Sequence, residues 1–167
     1  MSRLGKLAFV IRRVSTTAGE ILSTGDDGLN ARVRIQKTIY FLEKLGFGFD
    51  YNFDQYYHGP YSQALAEDYY TLAGLGEGVI SELAELCEKA HECTEAMGSI
   101  ITNLNRWSVE ALEVASLIHD LYTDEDSEYK GDLNSAIDTV KHLKPWVRDS
   151  HINEALRLLR SLGLLSG

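Results

Sequence analysis

Apolar residues recur at three- and four-residue steps along most of the chain, the spacing that gathers them on one face of an α-helix. Leu4, Leu7, Ile11, Val14, Ala18 and Ile21 predict an additional N-terminal amphipathic helix, within residues 1–22. Gly25-Asp26-Asp27-Gly28 reads as a turn, and Asn30 as the N-cap of a second helix to Leu45, stopped by Gly46. Ser62 caps a third helix that closes at Gly74 and Gly76. Ser81 opens a helix to about Met97, with Ser99–Arg106 continuing it beyond Gly98. Ser108 caps another, onto which Trp107 staples through Leu112. Asp132 starts the next, which Pro145 stops, and a last helix runs from about Ser150 to Leu162.

One segment departs from this period. In Phe47-Gly48-Phe49-Asp50-Tyr51-Asn52-Phe53-Asp54 the rings alternate with polar or small residues, which predicts a small half-buried β-hairpin-like insert near residues 47–58. The expectation is a mainly α protein, a single compact helical domain over 1–167 with that aromatic insert.

Composition narrows the setting. Hydrophobic residues make up 44% of the 167, enough to build a core that needs neither disulfides nor metals. No apolar run reaches the roughly 20 residues that span a bilayer, so no membrane partner is expected. Two cysteines form no disulfide framework, which fits a reducing, cytoplasmic location. The net charge of −9 is uneven, since residues 1–45 carry eight bases against four acids and the remainder eight against twenty-one. The basic end either packs beside an acidic body or meets an acidic partner or phosphate.

Candidate chemistry is sparse. On a continuous helix Cys87 and His91 share a face while Cys93 lies about 240° from Cys87. A structural zinc site wants four ligands, so no metal is expected. Asp124, Asp126 and Glu128 alternate as in a calcium loop, yet Tyr129 stands where the turn demands Gly and Ser135 where a bidentate Glu belongs. No nucleophile elbow, H-E-x-x-H, P-loop or G-x-G-x-x-G occurs, so neither a catalytic residue nor a cofactor is assigned and an enzyme is not expected. The concentrated feature is aromatic, with seven of nine tyrosines lying between residues 40 and 70.

Ile35-Gln36-Lys37-Thr38-Ile39-Tyr40-Phe41-Leu42 is followed by Tyr56-Tyr57-His58-Gly59-Pro60-Tyr61-Ser62 and by a helix bearing Leu65 and Leu72. Further on come Leu143-Lys144-Pro145-Trp146 and Ile152, Leu156 and Leu159. Together, over about residues 30–165, they resemble the Panacea (SocA-antitoxin-like) domain and related uncharacterised prokaryotic proteins. That family typically carries a Q-K-x-x-Y helix and a tyrosine-containing G-P-x-S turn; the long N-terminal helix here is a departure. The resemblance implies a helical module that binds protein partners, as an antitoxin or proteolytic adaptor does. The expected partner surface is the Tyr-rich Gly-Pro turn, Tyr56, Tyr57, His58, Gly59, Pro60 and Tyr61.

Two other readings stand beside it. Helix, helix, short strand and capped helix can be taken as a degenerate winged helix that binds nucleic acid. From Leu45 to Glu88 there is no Lys or Arg, however, and the would-be recognition helix carries Glu67 and Asp68, so nucleic acid is not expected. An enzyme of unrecognised type would be sought around Tyr56, His58 and Glu67.

Overall fold

The computed structural model describes residues 3–56 and 59–166, and Tyr56 by its backbone alone. Among the described residues it is mainly helical, with nine α-helices and one two-stranded antiparallel sheet. No helix is long and apolar enough to cross a membrane.

The expected first helix is two. Helix α1 (Arg3–Arg13) ends where Ser15 takes φ 60°, and Thr16 N–H reaches back to the Ile11 carbonyl. Thr17 then caps α2 (Ala18–Leu22), its hydroxyl accepting from Glu20 N–H while the Glu20 carboxylate accepts from Thr17 N–H. Helix α3 (Asp26–Lys44) begins a turn earlier than the Asn30 cap would allow. Asp26 and Asp27 sit at its positive N-terminal end, where carboxylates are favoured. Gly28 is needed there, because a Cβ would collide with the Ser23 carbonyl.

The aromatic segment follows. Residues 47–53 are not strand, since Gly48 (φ 57°) and Asp50 (φ 61°) twist the backbone out of the β region. The period-two burial nonetheless holds, with Phe49 and Tyr51 inside and their neighbours out. The irregular backbone is tied to α1, as Lys6 donates to the Gly48 carbonyl at 2.9 Å and Arg3 to that of Asp50 at 3.1 Å. Pairing is confined to β1 (Asp54–Tyr56) and β2 (Gly59–Tyr61), with Asp54 opposite Tyr61 and Tyr56 opposite Gly59.

Ser62 caps α4 (Gln63–Leu75), whose end at Gly76, φ 99°, opens α5 (Glu77–Lys89) directly. The expected run from Ser81 through Met97 is therefore broken. His91, φ 61°, turns the chain back, and the N–H groups of Glu92 and Cys93 both reach the Cys87 carbonyl. Cys93 thereby returns to Cys87, with Cα atoms 5.3 Å apart, and the two form a buried disulfide. The 240° separation presumed a helix through His91, and the turn removes it. Closing so short a loop is worth roughly 2 kcal/mol. Dithiothreitol should lower stability by about that amount; a melting point unmoved by full reduction would remove the bridge from the account.

Thr94 caps α6 (Glu95–Leu104), and Ser108 caps α7 (Val109–Thr123). Helix α8 (Leu133–Leu143) follows its Asp132 cap, and α9 (Asp149–Ser161) closes the fold. Helices α1, α4, α5 and α6 enclose one apolar cluster with Ile35, Ile39 and Leu42 of α3. A second gathers α7 and α9 around Tyr40 and Phe41 of the same helix. Helix α3 is thus the shared wall, which is why Ile35–Leu42 is buried without a break.

Candidate binding groove

The Gly59-Pro60 segment is locked from beneath by α3. Gln36 brackets Ser62, donating to its carbonyl at 2.9 Å and accepting its N–H at 3.0 Å. One residue on, the Lys37 ammonium donates to the Pro60 carbonyl at 2.6 Å. Gly59 has φ 94°, and a Cβ there would lie 3.5 Å from Leu117 and 3.6 Å from Lys37 Nζ. That is ordinary contact distance, so it is the left-handed conformation that favours glycine here. Tyr40, one turn further along α3, bonds its hydroxyl to His119 Nδ1 at 2.7 Å. The Q-K-x-x-Y residues are thus clamps.

This arrangement corrects part of the expected partner surface. Gly59 and Pro60 are buried and offer no contact area. Tyr61 is half-buried and lines a cavity. Tyr57, His58 and the Tyr56 side chain lie outside the described residues, so the surface expected of them, and the cleft sought around Tyr56 and His58, do too.

Burial governs the ionisable groups near the turn. Lys37, 1% exposed, is driven down to about 7 by desolvation, although the Glu113 carboxylate favours its charged form. Desolvation holds His119 down at about 4 and lifts Asp120 to about 6, with Asp124 adding to the latter. Asp120 accepts from Gln55 at the head of an acidic cleft of about 540 Å³, which Asp54, Asp124 and Asp126 also line. No group of three or more His, Cys, Asp or Glu among the described residues is placed to hold a metal ion.

The basic N-terminal region is largely consumed internally. Arg3 pairs with Asp68 at 2.9 Å, Arg12 with Glu88 at 2.9 Å, and Arg32 donates to the carbonyls of Ile21 and Ser23. Its charge ties α1 to acids of α4 and α5, and α3 to the carbonyls at the end of α2.

Three neighbouring pockets lie about α3 and share lining residues. A cavity of about 120 Å³ between α3 and α4 is lined by Leu29, Val33, Tyr61, Tyr69 and Tyr70. Through Leu29 and Val33 it joins a cleft of about 360 Å³ walled by Val109, Glu113, Lys144 and Trp146. Asn30 and Val109 connect that cleft to a third, about 260 Å³, formed with Ser15, Thr16 and Arg34. Leu29, Tyr70 and Trp146 are 41%, 43% and 41% exposed along this line, although all three are large apolar residues. Lys144 and Glu113 form a buried ion pair of 3.2 Å in the wall.

Sequence spacing does not reveal this groove, because its exposed side chains come from α3, α4 and the segment after α8. A partial signal exists in Leu29 and Val33, four apart on α3. No family model matches the chain, and neither a curated protein nor a solved structure is similar to it at a significant level.

Proposed function

We propose that this chain is a protein-binding or regulatory module, antitoxin-like or adaptor-like, that holds its partner along the α3 groove. The observation that carries the reading is that Leu29, Tyr70 and Trp146, each about two-fifths exposed, line two neighbouring pockets that share Leu29 and Val33. Contiguous exposed apolar surface of this kind is kept for recognition, and rigid aromatic side chains contribute contact area with little entropy loss. The resemblance to the Panacea (SocA-antitoxin-like) domain supports the same class, and Tyr61 is the residue that its turn lends to the groove. The internal use of Arg3, Lys6, Arg12 and Arg32 weighs against a nucleic-acid reading, as do Glu67 and Asp68 on α4.

Proximity labelling in the native host tests the proposal. Tyr70→Ala and Trp146→Ala should each abolish the labelling of at least one protein that Leu86→Ala, an exposed control on α5, leaves labelled. Melting points should stay close to wild type, as is usual for exposed positions. Identical labelling by all three variants would sink the groove. A cytoplasmic site of action goes with this reading. The Cys87–Cys93 bridge provides its check, because a bridge found intact in rapidly alkylated cells points to an oxidising compartment.

A further inference from the structure

Helices α1, α3, α5 and α9 end alike, on a residue of positive φ whose N–H, with the next N–H, reaches back to carbonyls of the last turn. In α3 that residue is Gly46, which donates to Glu43 while Phe47 donates to Leu42. In α9 it is Gly163, which donates to Arg160 while Leu164 donates to Leu159. Glycine is the ordinary occupant, because a Cβ is disfavoured in this conformation. Ser15 ends α1 and His91 ends α5 without it. At Ser15 the stop is reinforced two residues on by the Thr17–Glu20 capping box. After His91 the next cap is the Thr94 hydroxyl alone, and the further restraint is covalent. Cys87, whose carbonyl accepts from Glu92 and Cys93, is bridged to Cys93.

Local sequence favours the opposite outcome at this corner. Residues 82–93 contain no Gly, Pro or β-branched residue and are rich in Glu, Leu, Ala and Lys, which favour helix. Glu88, Lys89, Ala90 and His91 are all exposed, so burial does not fix His91 in its left-handed state. The bridge spans six positions and ties no distant elements together. Helices α5 and α6 are each seated on α1 independently of it, so the fold outlasts its reduction.

We infer that Cys87 and Cys93 form a thiol–disulfide switch: the oxidised pair holds His91 left-handed and ends α5 at Lys89, and the reduced pair lets α5 run on through His91. The co-reactant is a small thiol and its disulfide, of the glutathione class. Its thiolate attacks the sulfur of Cys93, the less covered of the two residues. The bridge breaks, and Cys87 leaves as a thiolate that takes up a proton. A second small thiolate attacks the mixed disulfide, releasing Cys93, which is protonated in turn, and the small disulfide. Two electrons thus pass from two small thiols to the bridge, and oxidation runs the same steps backwards. The corner between α5 and α6 changes shape with the thiol poise around it.

Isotope-labelled full chain, equilibrated in buffers of stepped glutathione to glutathione-disulfide ratio and followed by NMR, tests this. On reduction the His91 Cα and Cβ shifts should move from left-handed to helical values while the rest of the spectrum stays dispersed. His91→Gly adds a second reading, by mass spectrometry of acid-quenched, maleimide-labelled samples. Glycine favours the left-handed turn and disfavours a helix interior, so it should stabilise the oxidised form against the reduced one. The ratio of squared glutathione to glutathione-disulfide concentration at half reduction should therefore rise roughly tenfold. A reduced corner that kept the turn would gain from glycine as much as the oxidised one, and the midpoint would stay put. An unmoved midpoint, or His91 shifts that remain left-handed or become those of disordered chain, overturns the inference. Loss of the folded spectrum on reduction, or a bridge that glutathione reduces at no ratio, overturns it too, because the bridge is then a fixed staple.

Discussion

Replacing Lys37 with Met is expected to remove a rise in stability that the wild-type protein shows between about pH 7 and pH 9. The sign follows from proton counting. Burial holds the folded ammonium at about 7, well below its ordinary value of 10.5, so over this interval the unfolded chain binds more protons than the folded one. Stability then increases with pH wherever the unfolded state carries the extra proton. Across two pH units the wild-type gain is on the order of 3 kcal/mol, and the variant should show a nearly flat line. Above about pH 10 the trend reverses in both proteins, because burial raises Tyr40, Tyr51 and Tyr69 and keeps their protons on in the folded state. Near neutrality the variant need not be weaker, since losing an unfavourable buried charge offsets losing the bond to the Pro60 carbonyl. Urea melts at several pH values read this directly. A Lys37→Met line as steep as wild type would mean that another group sets the dependence.

That lysine illustrates how far the sequence carries a function argument. Gln36, Lys37 and Tyr40 stand out as a motif, and so does the Gly59-Pro60-Tyr61-Ser62 turn. Their purpose is visible only once α3 lies under the turn, where Gln36 and Lys37 hold it and Tyr40 bonds to His119 of α7. The expectation of a surface failed at Gly59 and Pro60 because aromatic and turn composition does not say which face is solvated.

Helix starts were legible where a polar cap and an apolar period agree, as at Ser62, Ser108 and Asp132. They are hidden where the apolar phase runs unbroken through a turn. Val14, Ala18 and Ile21 keep their spacing although α1 has ended, and the signal to weigh was Thr17-Ala18-Gly19-Glu20, a capping box. Around His91 no such box exists. A left-handed residue without glycine and a pair of cysteines that the turn itself brings together are matters of tertiary packing. The groove is of the same kind, because Leu29, Tyr70 and Trp146 are adjacent only in space.

Removal of the Glu113 carboxylate should be among the most damaging single changes to this fold. Glu113 and Lys144 pair at 3.2 Å with less than a tenth of either side chain exposed, and the same carboxylate favours the charge on Lys37. Glu113→Ala therefore takes the facing acid from two buried lysines at once. Breaking such a pair from one side costs about 3–5 kcal/mol, since the remaining charge has lost its water and its counterion together. The loss should shrink as pH rises, because neutral Lys37 needs no acid and is reached sooner once Glu113 is gone. An ordinary cavity would show no such recovery. Adding Lys144→Met to a Glu113→Leu chain should restore most of the stability, in line with the near-equivalence of buried ion pairs and well-packed apolar substitutes. Both residues wall the groove beside Trp146, so the restored double variant also separates stability from recognition. It should fold like wild type and yet bind the partner differently. A Glu113→Ala cost below about 1 kcal/mol, or a double variant no more stable than Glu113→Leu alone, would show that the pair does not hold this wall in place.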